Sequence, residues 1–382
     1  MKIHLSNRFS RHTGARSIVI ALLMCFTSMT FADMSGGGFA AAGGGYSVKI
    51  YRVESGLYPF VQVYFRTFDQ SQAPLVNLNE MNLGLMVKGR SYDPAKRRYF
   101  VQSIQNRDEA IRSVLVLDAS KSMAGAPFEN ALRAVARYID NKRPQDEIAI
   151  LAIRDTKEGY ELVSPFERDP GALGRRLADV RADGNKTRLY DTIGAAMQLC
   201  GMSSQGSSAP SASNYIVSCS VVVFSDGEDD GSALSREELN GRISNLRIPI
   251  PVYSVAYSKV NTEYFKNLEA ISKNSFGKYY PIGVAYDKMT RVVEEIQYIL
   301  KNDYVVTFRS YVPVDGEEHA FKVGIDYPSR SGKYVYDDGH FEALEPPPLD
   351  ELKPLLGRLA KALPELPDHN PNFSHADAAP AQ

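Results

Sequence analysis

The chain has 382 residues, 44% of them apolar and 23% charged, with a formal net charge of −1. That length accommodates two domains or one domain with extensions, and the apolar share supports a real core, which excludes global disorder. The near-neutral balance argues against a nucleic-acid surface, which would need an excess of Lys and Arg.

Residues 1–32 read as a signal peptide. Lys2, Arg8, Arg11 and Arg16 stand with no acidic residue among them, an apolar segment runs from Ile18 to Phe26, and Thr30-Phe31-Ala32 precedes Asp33 in the small-x-Ala pattern of a cleavage site. The apolar segment falls short of the about 20 residues that a membrane span needs. An uncleaved N-terminal anchor is the alternative. Cys25 raises a lipoprotein reading, but Met24 before it is bulky where such signals want a small residue. Cleavage would leave a formal charge of about −5, which does not favour binding to an anionic membrane. The expected location is the periplasm or cell envelope, or the medium.

Gly36–Gly45 is a flexible spacer, so residues 33–45 form a linker. Residues 46–108 have period two. Val61, Val63 and Phe65 alternate with Gln62, Tyr64 and Arg66, and Leu83, Leu85 and Val87 repeat the pattern, which predicts an antiparallel β module.

From Ser113 the pattern changes to alternating strands and helices, which predicts a mostly parallel sheet covered by helices on both faces. Ser113–Asp118 is a buried strand. Pro127 opens a helix whose inner stripe is Phe128, Ala131, Leu132, Val135 and Ile139. Glu147–Arg154 is the next strand and Glu161–Phe166 an edge strand. Helices are predicted at Gly171–Val180 and Leu189–Leu199, and Ser220–Phe224 is a central strand. Ser235 and Glu238 form a capping box for a helix reaching Leu246. Pro251–Ala256 is a strand, Glu263–Ser272 a helix, and Gly277–Pro281 a short strand. Met289, Val292, Val293, Ile296 and Leu300 mark a long amphipathic helix.

Only Cys200 and Cys219 remain after signal cleavage, and they flank a Ser-, Gly- and Ala-rich segment. In an exported chain such a pair reads as a disulfide, worth roughly 3 kcal/mol by the loop it closes. Two buried free thiols are the alternative. Period two returns over residues 303–345, in Tyr304, Val306, Phe308 and again in Phe321, Val323, Ile325, with Pro313-Val314-Asp315-Gly316 as the turn between. These segments are expected to join the N-terminal ones in a single β module built from both ends of the chain; two separate β pieces are the alternative. Residues 346–382 form a Pro-rich tail, with one helix through Ala362 and a disordered end.

Three pieces of the central region share one chemistry. Asp118-Ala119-Ser120-Lys121-Ser122 ends the first strand, Gly184-Asn185-Lys186-Thr187-Arg188-Leu189-Tyr190-Asp191 leads into a helix, and Phe224-Ser225-Asp226-Gly227-Glu228-Asp229 ends the central strand. All three fall on the carboxyl edge of one sheet, where open α/β folds place ligands. Together they resemble a von Willebrand factor type A domain carrying a metal-ion-dependent adhesion site, a resemblance that covers about residues 112–302. It implies a doubly wound, Rossmann-like sheet and Asp118, Ser120, Ser122, Thr187 and Asp226 as ligands of Mg²⁺, or of Mn²⁺ or Ca²⁺.

Mg²⁺ seeks six hard oxygens. Two carboxylates and three hydroxyls leave a position open, which an Asp or Glu of a partner protein completes. An adhesion module is therefore the expected function, with a constitutive assembly factor of an envelope complex as the alternative. A metal-dependent hydrolase fits less well: His319, His340, His369 and His375, the histidines outside the signal, all lie beyond the central domain, and no G-x-S-x-G is present. Glu228, Asp229 and Asp230 read as an acidic solvated loop rather than a second cation site. Asp191 either hydrogen-bonds behind the ligands or simply starts the helix, and Lys121 is expected to be exposed. In related domains the last helix moves when affinity switches; here it holds Val292 and Ile296 and runs directly into Asp303.

Overall fold

The computed structural model describes residues 45–345, with 348 and 350, apart from 94–98, 206–215, 247, 260–261 and 329–330. The expected signal segment, nearly all of the glycine-rich spacer and nearly all of the tail lie outside the described residues. Among the described residues no helix is long and apolar enough to cross a membrane.

The elements in chain order are β1 (Tyr46–Leu57), β2 (Phe60–Asp69), β3 (Leu83–Val87), β4 (Arg90–Ser91), β5 (Tyr99–Ser103), β6 (Ala110–Asp118), α1 (Ala126–Asp140), β7 (Glu147–Ile153), β8 (Tyr160–Glu167), α2 (Pro170–Ala178), α3 (Leu189–Gln205), β9 (Ile216–Ser225), α4 (Arg236–Ser244), β10 (Val252–Tyr257), α5 (Phe265–Asn274), β11 (Tyr279–Gly283), α6 (Met289–Lys301), β12 (Tyr304–Arg309), β13 (Glu318–Ile325) and β14 (Val335–Glu342).

The central sheet has the order β11-β10-β9-β6-β7-β8, parallel except for antiparallel β8 at one edge. Alternation of side chains across each strand sends Leu115, Leu117, Val222 and Phe224 to one face, with α1 and α6, and Val114, Val116, Val221 and Val223 to the other, with α3, α4 and α5. This is the doubly wound α/β architecture the alternating pattern predicts. Local signals set its helices: Asp169 caps α2 by accepting from the Gly171 and Ala172 amides, and Ser235 with Glu238 forms the reciprocal capping box of α4. Gly277 allows α5 to return onto the sheet, because a Cβ there would sit 2.0 Å from the Val252 carbonyl oxygen.

The two chain ends do build one β module. Sheet β1-β2-β12-β5 and sheet β14-β13-β3-β4 each combine strands from before and after the α/β domain. They enclose one core that includes Val61, Val63, Phe65, Leu85, Val306, Phe308 and Phe321. One expectation needs correction. The Pro313–Gly316 turn does not close a hairpin, because β12 and β13 belong to different sheets and the chain crosses between them there. The alternate face of β2 is also buried: Tyr64 packs with Ile104, Val305 and the α/β core. Arg66 on that face is buried as well, donating to both oxygens of Asp303 at 2.7 and 2.6 Å and to the Tyr253 hydroxyl at 3.0 Å. The first sheet is therefore covered twice, by its partner sheet and by the α/β domain.

Candidate metal centre

Asp118 is the last residue of β6 and is completely buried. One carboxylate oxygen accepts from the Ser120 amide at 3.1 Å and the other from the Ser225 hydroxyl at 2.8 Å. Ser120 and Ser122 stand with their hydroxyl oxygens 3.0 Å apart, Ser120 buried and Ser122 open to solvent. This first loop is zipped to the second by a parallel bridge between Ser120 and Gly184, in which the Gly184 amide donates to the Ala119 carbonyl and the Lys121 amide to the Gly184 carbonyl.

Thr187, also buried, is fixed from two sides. Its amide donates to the Asp230 carboxylate at 2.6 Å, and its carbonyl accepts from the Asp230 amide. Asp155 in the loop after β7 accepts from the Asn185 and Lys186 amides. Asp226 follows β9; it is buried, and its carboxylate accepts from the Glu228 amide. Gly227, at φ +84°, makes the turn possible, and a Cβ there would lie 2.5 Å from the Tyr264 carbonyl.

The structure therefore gathers all three predicted loops at one sheet edge. Asp118, Ser120 and Ser122 are directly hydrogen-bonded. Asp226 lies close enough for its charge to oppose that of Asp118, and Thr187 is tied to the Asp226 loop through Asp230. The electrostatics are unfavourable for two bare carboxylates. Burial raises the Asp118 pKa, against hydrogen bonds from Ser120 and Ser225. Burial first, and then the Asp118 charge, pushes Asp226 up to about 6. No Lys or Arg forms an ion pair with either carboxylate among the described residues. A buried anion pair without a counter-charge calls for a cation, and the nearby hydroxyls supply neutral hard oxygens, so the donor set fits a divalent ion of the Mg²⁺ type. Among the described residues, no three His, Cys, Asp or Glu side chains gather as an alternative metal cluster.

The loop acids extend the sequence reading. Asp229, half-buried, accepts from the Tyr190 amide and the Ser232 hydroxyl, and Asp230, though exposed as a solvated loop should be, holds the Thr187 amide, so both acids also clasp the backbone of the second loop. Asp191 accepts from the Ala233 and Leu234 amides at 2.8 and 2.9 Å, which settles its role as a fastener of the third loop. Lys121 is exposed as expected and donates to the Asn185 side chain. Two residues of the site escaped the sequence. Ser225 supports Asp118 and accepts from the Gly227 amide; its place just before Asp226 was the available signal. Tyr257, buried at the end of β10, has a hydroxyl whose ionisation is suppressed by burial and then by Asp118 and Asp226. It reads in sequence as one more core aromatic.

Cys200 and Cys219 form the disulfide, joining α3 to β9.

Residues 113–228 match the family model of the von Willebrand factor type A domain. No curated protein matches the chain. Among solved structures, the chain is similar to the SpRpn10 VWA domain at 15% identity, covering 49% of this chain and 94% of that one, with a TM-score of 0.35. It is similar to a von Willebrand factor type A protein from Catenulispora acidiphila at 12% identity, over 84% of this chain and 77% of that one, TM-score 0.42. A third similarity is to the vWF domain of the type V pili tip protein Mfa5 from Porphyromonas gingivalis, at 12% identity over 50% and 95% of the two chains, TM-score 0.35.

Proposed function

We propose that the von Willebrand factor type A domain of this chain holds a divalent cation through Asp118, Ser120, Ser122, Thr187 and Asp226, and through it binds an acidic side chain of a protein partner. The observation that carries this reading is the pair of buried, mutually repelling carboxylates, Asp118 and Asp226, beside hydroxyl oxygens and, among the described residues, without a basic partner. A divalent ion offsets the anionic charge, and five protein oxygens leave it short of the six that Mg²⁺ seeks. Ser122 is open to solvent, so the vacant position faces outward, where a carboxylate from another molecule reaches it. When bound, the metal supplies a Lewis-acid contact for that carboxylate; the loops supply rigidity, since each is hydrogen-bonded to another.

The basic, apolar and small-residue order of the first 32 residues supports export, so the partner belongs to the cell envelope or its exterior. Protein recovered from that compartment is expected to begin at Asp33, and an intact Met1 terminus would contradict cleavage.

The binding reading is tested by capture from envelope extract on the immobilised protein. Retention of a partner in Mg²⁺, its release by EDTA and its loss in Asp118→Ala support the metal bridge. Retention that survives both EDTA and Asp118→Ala refutes it and leaves constitutive assembly as the better reading.

A further inference from the structure

We infer that the Tyr257 hydroxyl is a hydrogen-bond donor reserved for the filled metal centre, which makes Tyr257 a positioning residue of that centre; the inference rests on the metal reading above. The strand register provides the geometry. Ala256 pairs with Ser225 across β10 and β9, so the next residues, Tyr257 and Asp226, stand side by side. Leu117 pairs with Phe224 across β6 and β9, which sets Asp118 beside Ser225. Three neighbouring strands, about 4.8 Å apart, thus end in one row of Asp118, Ser225–Asp226 and Tyr257. Tyr253, Val255 and Tyr257 share a face with Val222 and Phe224, and by the same alternation Asp226 leaves its strand on the Tyr257 side.

The ring is completely buried and meets Tyr286 edge-on, with centroids 6.3 Å apart. Its hydroxyl has no hydrogen-bond partner among the described residues. Leaving such a group unpaired is costly, and phenylalanine would fill the same apolar space without that cost. The hydroxyl is therefore unexplained by packing. Carboxylate oxygens only accept, so toward Asp118 and Asp226 the phenol O–H can act only as a donor. Mg²⁺ held by these residues would keep waters of its own. The Tyr257 hydroxyl would then donate to the Asp226 carboxylate, or pair with one of those waters, and so orient it. Partners of this kind, one step removed from the ion, typically change metal affinity 10- to 100-fold.

The test is Tyr257→Phe in the full-length exported protein, which keeps the ring and deletes the oxygen. After EDTA treatment, calorimetric titration with MgCl₂ is expected to show a Kd raised about tenfold, while the unfolding midpoint in EDTA stays equal or rises. The chain contains no Trp, so a near-ultraviolet tyrosine difference spectrum on adding Mg²⁺ is readable; one band seen in the wild type is expected to vanish in the variant. Equal Mg²⁺ affinity in the two proteins, or a loss of affinity matched by a loss of metal-free stability, overturns the inference. Absence of Mg²⁺ uptake by the wild type itself overturns the metal reading instead.

Discussion

The Arg66 guanidinium and the Asp303 carboxylate form a buried two-pronged ion pair between β2 and the two-residue link from α6 to β12. Burial raises Asp303, and the Arg66 charge opposes that rise. The pair joins the β module to the exit of the last α/β helix, a buried polar weld between the two parts of the chain, beside the Arg107–Glu109 pair and the Tyr64 hydroxyl that donates to Glu109.

Breaking this weld on one side leaves a buried charge. Arg66→Met alone, or Asp303→Leu alone, is expected to cost about 3–5 kcal/mol, whereas the double variant costs much less because no charge is stranded. Urea unfolding of the three proteins measures this. A double variant as unstable as the sum of the singles would show that the pair is not the source.

Asp226 predicts opposite effects on stability and on metal binding. Its carboxylate is pushed up to about 6 by burial and by Asp118, so an uncharged isostere relieves strain at neutral pH. Asp226→Asn is expected to stabilise the protein in EDTA by about 1–3 kcal/mol and to abolish stabilisation by Mg²⁺. For the wild type, Mg²⁺ at 100 times its Kd is expected to add about 2.7 kcal/mol. Guanidinium titrations with EDTA and with MgCl₂ give both numbers. Destabilisation of the metal-free variant would contradict the electrostatic account.

The Cys200–Cys219 bridge closes a loop of 19 residues in sequence separation. Replacing both cysteines by Ser is expected to lower stability by about 3 kcal/mol without changing Mg²⁺ affinity, because the bridge joins α3 to β9 away from the metal loops. Alkylation of two thiols in the native exported protein, read by mass, would show the bridge absent.

Gly277 tests the sheet itself. With a Cβ directed 2.0 Å from the Val252 carbonyl, Gly277→Ala is expected to cost about 3 kcal/mol or more through a forced backbone shift. Gly174→Ala, inside α2 where a Cβ meets nothing within 4 Å, is expected to move a thermal melt the other way, stabilising by about 0.5–1 kcal/mol.

Much of this fold was legible because its signals are local. A hydrophobic run broken by Asp118, a Pro at the first turn of α1 and the Ser235–Glu238 box each state a structure within a few residues. The five proposed ligands were legible for the same reason, since each is a polar type at a strand end or helix entrance. The remainder depended on distant partners. Arg66 alternates as a solvent-facing residue should, and only Asp303, 237 residues away, explains its burial. Asp229 and Asp230 resemble any acidic loop until the backbone amides of Tyr190 and Thr187 arrive beside them. Pro313–Gly316 announces a turn but not which sheet receives the next strand. Tyr257 sits in a V-Y-S-V-A-Y strand where nothing local separates a core phenol from one placed beside two carboxylates.

The interleaved β module also imposes an order on synthesis. β2 finds β1 at once through a short turn, but its other edge waits for β12, and β3 waits for β13. Until nearly the whole chain has emerged, these edges stay open to pairing with other chains, a recognised route to aggregation. The α/β domain can mature as an insert meanwhile, held between two halves of a sandwich that closes last. A chain cut short after α6 would lack the strands that cap those edges, leaving β2 and β3 open to pairing with other chains.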